Sequence, residues 1–181
     1  AIYPNPERAV YSGSTLVEKD RVIAMYHGTL AGNMVAVSDD PLLLNWEKVS
    51  GKAVIPLVSN SGFSQPYSVF DPCIWKKDGI YYSLSGGRAY NGPGGSPVRA
   101  NYLFRSKDLI KWEYLHEFVE DDRFTLVGDD GACPYFWPIG GRYMLNFFSH
   151  MSGGQYLLGD YDKERDKFVV TSAGKYNHGA V

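Results

Sequence analysis

The feature that most constrains this chain is a threefold repetition of strand quartets. Three aromatic, β-branched segments recur along it: IAMYHG at 23–28, IYYSLSG at 80–86 and YMLNFFSH at 143–150. His27, Ser85 and Ser149 fall at matching points, 58 and 64 residues apart. Short runs of this kind, bounded by Gly, Pro, Asn and Asp, are the pattern of strands and turns, and helical periodicity is nearly absent. The first quartet is 14–17, 21–27, 34–38 and 46–49; the second is 69–75, 80–85, 102–106 and 112–118. The third is 133–138, 142–149, 155–161 and 167–171. The turns repeat as well. SDDPLLLNW at 38–46 and SKDLIKW at 106–112 each supply a Ser and an Asp to close the turn and a Trp to open an outer strand.

Four antiparallel strands recurring about every 60 residues describe a propeller blade. Blades are expected at approximately 11–50, 68–119 and 131–172, with the start of a further blade at 173–181. The period exceeds the roughly 40–50 residues of small-blade repeats, so long loops are expected. The longest, GGRAYNGPGGSPVRAN at 86–101, carries five Gly and two Pro and reads as irregular, either functional or a surface insertion. Three blades do not close a ring. The missing blades are expected from the rest of a longer chain or from another copy.

Composition excludes several classes. With 18 basic and 20 acidic residues interspersed and a net charge of -2, nucleic acid is not an expected partner. No apolar stretch approaches the roughly 20 residues that cross a bilayer, so no membrane association is expected, and AIYPNPERAVYSG does not read as a signal peptide. Cys73 and Cys133 allow one disulfide or none, and they read as two small buried thiols on apolar strands. His27, His150 and His178 lie in different blades without ligand spacing. The Gly-rich segment lacks the Gly-Lys-Ser/Thr context of a phosphate cradle. No metal or cofactor is therefore expected. Fourteen Tyr, 20 Gly and 15% aromatic residues suit a β-rich, turn-rich, sugar-friendly surface.

The innermost strands of a propeller line its channel, and substrates bind at one mouth. Here those strands begin YSGST at 11–15, VFDPCIW at 69–75 and GACPYFW at 131–137. Ser12-Gly13-Ser14, Phe70-Asp71-Pro72 and Ala132-Cys133-Pro134 resemble, in order, the Ser-Gly-Ser, Arg-Asp-Pro and Glu-Cys-Pro motifs of glycoside hydrolase family 32, the invertases, inulinases and levanases. FFSHMSGGQYLLGDYD at 147–162 is similar to the family's strand pair after Glu-Cys-Pro, and AGKYNHGA at 173–180 to its next blade. The resemblance implies an all-β fold, part of a five-bladed β-propeller with about three four-stranded blades present. It also implies a retaining glycosidase acting on fructosides or related furanosides, with a carbohydrate as partner and a secreted or periplasmic location. Asp71 matches the carboxylate that holds sugar hydroxyls. The departures are Phe70, where the family has an Arg that grips fructose, and Ala132, where it has the acid/base Glu. The nucleophilic Asp belongs to a first blade outside this sequence. Ser12, Ser14, Phe70, Ala132, Cys133 and His150 are the candidate substrate-binding residues.

Ala132 cannot transfer a proton, whereas a retaining glycosidase needs two carboxyls about 5 Å apart. Asp130 lies two residues upstream, on the same face of an extended strand and roughly 6–7 Å back. Tyr135, Phe136 and Trp137 would supply an apolar pocket that raises an acid's pKa. Asp130, and after it Asp129, is the candidate displaced acid. The alternative is a solvated turn, since Gly-Asp-Asp-Gly is good loop chemistry. Two other functions stay open: a sugar-binding propeller without catalysis, and a family 43-like enzyme acting on arabinose or xylose units, whose fold also uses Asp-Pro.

Overall fold

All twelve expected strand segments form in the computed structural model, which describes residues 1–57 and 66–177. The first sheet orders β1 (Val10–Val17), β2 (Val22–Gly28), β3 (Gly32–Ser38) and β4 (Glu47–Lys48), with β5 (Ile55–Pro56) also on β3. The second orders β6 (Pro72–Lys77), β7 (Ile80–Ala89), β8 (Val98–Ser106) and β9 (Trp112–Glu117). β10 (Val119–Glu120) then crosses over and pairs in parallel with the outer strand of the third sheet. That sheet is β11 (Ala132–Ile139), β12 (Arg142–Ser149), β13 (Gly153–Asp162) and β14 (Lys167–Lys175). The fold is all-β, three four-stranded blades of a partial propeller. Among the described residues the helical structure is one turn at Pro93–Gly95, and no helix is long and apolar enough to cross a membrane.

The turns use the expected chemistry. The Asp40 carboxylate accepts the N–H groups of Leu42, Leu44 and Asn45, and Asp108 accepts those of Ile110 and Lys111. The indoles of Trp46 and Trp112 donate to the carbonyls of Leu43 and Leu109 at 2.8 and 2.9 Å. Both leucines sit at positive φ, +54° and +68°, which these bonds stabilise.

Two expectations are corrected. Half of the segment 86–101 is ladder: β7 and β8 stay paired out to Ala89 and Val98. Gly86 and Gly87 serve close approach here, not a loop. A Cβ on Gly86 would stand 2.1 Å from the Gly131 carbonyl oxygen, and one on Gly87 2.2 Å from that of Ser68. The second correction concerns 173–181. Ala173, Gly174 and Lys175 pair with Leu157, Tyr156 and Gln155, so they finish the third sheet and do not begin another. A register shift at Leu158/Gly159 lets β14 run on past its apolar stretch. Residues 178–181, His178 among them, lie outside the described residues.

The seam between the first and second sheets is mostly aliphatic, that between the second and third is aromatic, and charged side chains close both. Phe118 is fully buried between the second and third sheets, its ring 4.9–6.2 Å from those of Trp75, Phe136, Tyr161 and Phe168. Lys76 binds Glu18 of the first sheet's hairpin, which also accepts hydrogen bonds from Arg21 and the Tyr81 hydroxyl. Its neighbour Lys77 points the other way, to Asp166 of the third sheet, which Tyr82 and Tyr161 also contact. Strand alternation makes one strand clamp both seams. Toward the hub, Ile74 N–H donates to Ser14 Oγ (2.8 Å), and Tyr135 Oη donates to the Gly13 carbonyl (3.1 Å). Both cysteines are free thiols; Cys73 lies in the seam core and Cys133 is half-buried at the hub.

Phe118→Ala should cost about 3–5 kcal/mol, the usual penalty for emptying a buried aromatic site, read by denaturant unfolding. A loss below about 1 kcal/mol would show that the seam does not depend on it. The hydrogen bond from Lys76 leads those from Arg21 and Tyr81 in holding the Glu18 pKa at about 2 against burial, below the ordinary 4.5. The stability this contributes is present above pH 4.5 and lost as pH falls through about 2. The melting temperature of Glu18→Gln should therefore lie below wild type at neutral pH, with the gap closing toward pH 2.

Candidate active site at the propeller hub

All three innermost strands begin irregularly, and a cavity of about 960 Å³ opens where they do. In β1 a register shift between Val10 and Gly13 leaves Tyr11 and Ser12 out of the ladder and facing the cavity. Gly13 is required because a Cβ there would meet the Met25 carbonyl oxygen at 2.0 Å. β6 starts at Pro72, with Asp71 just ahead of it. The backbone at this point is pinned: Phe70 N–H donates to the Gly86 carbonyl at 2.8 Å, and the buried Asn33 amide donates to the Phe70 carbonyl at 2.6 Å. In β11 a bulge between Ala132 and Tyr135 holds Cys133 at φ +48°. A bulge re-aims backbone groups. Cys133 N–H donates to Asp71 Oδ2 at 2.9 Å, and its thiol approaches the same oxygen at 3.4 Å. Burial raises the Cys133 pKa, and the carboxylates of Asp71 and Asp130 add to the rise, outweighing a hydrogen bond with Ser12. The thiol remains a proton-bearing donor.

The adjacent Asp129 and Asp130 part company. Asp129 has no exposed surface; it accepts hydrogen bonds from Ser149 and Ser152 Oγ, both 2.6 Å, and from Leu126 N–H at 3.0 Å. Burial would raise its pKa, but these donors and Arg99 hold it below the usual value. Asp129 thus braces the 126–129 turn against β12 and does not reach the cavity. Asp130 does. Its Oδ2 accepts from Arg88 Nη2 and His150 Nδ1, both 2.9 Å, and its Oδ1 accepts from His150 N–H at 3.1 Å.

Seven expected site residues line the one cavity: Ser12, Phe70, Asp71, Asp130, Ala132, Cys133 and His150. Ser14 does not; its hydroxyl is occupied by Ile74 N–H in the seam between β1 and β6. Of the aromatic run, Tyr135 faces the cavity, Phe136 fills the seam core, and Trp137 lines a separate outer hollow. Six lining residues were missed: Tyr11, His27, Arg88, Asn146, Phe148 and Tyr176. The Arg88 guanidinium lies 5.8 Å from the centre of the Phe70 ring, inside the same cavity. It lay hidden in the Gly-rich segment; carrying the alternation of β7 past its apolar run would have found it. His27 also lines the cavity, its ring 6.4 Å from those of Tyr11 and Phe70. Among the described residues its buried Nδ1 has no hydrogen-bond partner, and burial lowers its pKa despite the opposing pull of Asp71.

The cavity thus combines carboxylate acceptors, one guanidinium and aromatic faces, a set suited to sugar hydroxyls and C–H edges. Among the described residues no three His, Cys, Asp or Glu side chains gather as a metal site.

Sheets converging on a hub with their irregular ends around an open cavity define the β-propeller class. The chain belongs to glycosyl hydrolase family 32: the model of its N-terminal domain matches residues 1–180. It is 26% identical to a levanase of Bacillus subtilis over 90% of this chain and 25% of that protein. It is 31% identical to a sucrose-6-phosphate hydrolase of the same organism, over 75% of this chain and 28% of that one. A Bombyx mori beta-fructofuranosidase solved in complex with sucrose superposes with a TM-score of 0.74 at 22% identity, covering 99% of this chain and 40% of that one. The chain therefore spans less than half the length of these relatives.

Because its folded pKa is lowered, neutral His27 contributes stability that is present above the ordinary value of 6.5 and lost as pH falls below it. Between pH 7 and 5, wild type should lose more melting temperature than His27→Gln. Parallel pH profiles for the two would remove His27 as the cause.

Proposed function

We propose that the full-length protein is a glycoside hydrolase acting on fructosides by a retaining double displacement, with the missing blades supplied by the rest of its chain. The observation that supports this reading is Asp71, set at the hub mouth of a family 32 domain with its backbone pinned and one oxygen fixed by Cys133. Its remaining acceptor capacity would hold adjacent hydroxyls of a furanose ring, contacts that strengthen as positive charge develops at the anomeric carbon. Arg88 would take over the sugar-gripping task that Phe70 cannot perform, while Phe70 and Tyr135 offer apolar faces. Asp130, held by Arg88 and His150, is the carboxylate on the side of the pocket next to Ala132.

Ala132 itself favours a second reading, a propeller that binds sugars without cleaving them. Release of reducing sugar by the full-length protein from sucrose, levan and an arabinofuranoside decides between the two. The enzyme reading expects turnover on the fructosides that falls at least about 10²-fold in Asp71→Asn, and a raised KM in Arg88→Lys. If no sugar is cleaved but sucrose or levan raises the melting temperature, the binding reading replaces it.

A further inference from the structure

The hub has lost a carboxylic acid at position 132, yet it holds a group able to carry a proton. We propose that His150 is the proton-transfer residue of this site and that Asp130 positions it. The inference rests on the glycosidase reading above and deepens it. Asp130 grips His150 twice, through the backbone N–H at 3.1 Å and ring Nδ1 at 2.9 Å, which fixes both the backbone and the ring of one residue. The Asp130 side chain is only 4% exposed, and Arg88 adds a third donor at 2.9 Å. Three donors on two oxygens make Asp130 an acceptor in this arrangement. Facing such an acceptor, Nδ1 carries hydrogen, so the imidazole's exchangeable position is Nε2. The His150 side chain is 61% exposed and lines the cavity, and among the described residues Nε2 has no hydrogen-bond partner.

The other proton carriers around the cavity are poorly placed. The Cys133 thiol and the hydroxyls of Tyr135 and Tyr176 are engaged, by Asp71 and the carbonyls of Gly13 and Phe147. His27 is held neutral by burial. Tyr11 is a phenol, a reluctant donor at neutral pH.

In the first half-reaction, imidazolium Nε2–H gives its proton to the glycosidic oxygen as the bond from that oxygen to the anomeric carbon breaks. The bonding pair stays on the oxygen, and a carboxylate of the full-length protein forms the new bond to carbon. In the second, neutral Nε2 takes a proton from water as the water oxygen bonds to the anomeric carbon and the carboxylate departs with its bonding pair. Each half-reaction restores the charge state of His150 that the other consumes.

The test uses the full-length protein and two fructosides. The glucose unit of sucrose would leave as an alkoxide and needs an acid; the nitrophenol of a nitrophenyl β-fructofuranoside leaves as a stabilised phenolate and needs little help. His150→Gln should lower kcat on sucrose by about 10²–10⁴-fold and on the nitrophenyl substrate by less than about tenfold. Added imidazole should restore part of the sucrose activity of His150→Ala. Asp130→Asn should also lower sucrose turnover, with little further effect once His150 is already Gln, as expected for two residues acting as a unit. Equal losses on both substrates, or sucrose turnover unchanged in His150→Gln, overturn the proposal. If Asp71→Asn abolishes cleavage while His150→Gln does not, the glycosidase reading stands and His150 alone is excluded. If wild type cleaves neither substrate, both fall together.

Discussion

A β-strand turns successive side chains to opposite faces, and this constraint sets the tasks of several adjacent pairs at the seams and the hub. Lys76 and Lys77 leave β6 toward different neighbours, one to Glu18 and the other to Asp166. Tyr81 and Tyr82 follow them into the same two clamps. At the end of β12, Ser149 turns inward to Asp129 while His150 turns outward to Asp130. The acidic pair is divided between scaffold and cavity because the residues that receive it are divided in the same way.

The hub depends on where that alternation is broken. Cys133 lies where β11 bulges out of register with β12. Its N–H is taken up by Asp71 across the junction of the second and third sheets. A non-glycine residue at positive φ costs of the order of 1–3 kcal/mol, and Cys133 accepts that conformation where two blades meet at the cavity wall. Structure and site are therefore coupled: the contact that fixes the Asp71 carboxylate is also a blade-to-blade bond.

Much of this was legible in the sequence. The aromatic strands and the Ser/Asp/Trp turns identified three blades, because each blade needs an apolar inner run and a turn that satisfies its own backbone. The three tripeptides at the innermost strands located the hub mouth. Glycines were harder to read. Gly86 and Gly87 look like loop residues until the Gly131 and Ser68 carbonyls that crowd them are known. Asp129 and Asp130 could not be ranked, since the partners that separate them, Ser149 and Ser152 for one and Arg88 and His150 for the other, come from distant parts of the chain. Ser14 looked like part of the site because only its distance from the hub axis separates it from Ser12. Arg88 escaped notice because its relation to Phe70 crosses from one strand to the lead-in of another.

The paired clamps on β6 have a mechanical meaning. Each seam is latched by its own lysine, acid and tyrosines, with no side chain shared between the two latches. Removing one latch therefore leaves every side-chain contact of the other in place, so the two junctions are fastened independently along a single spoke.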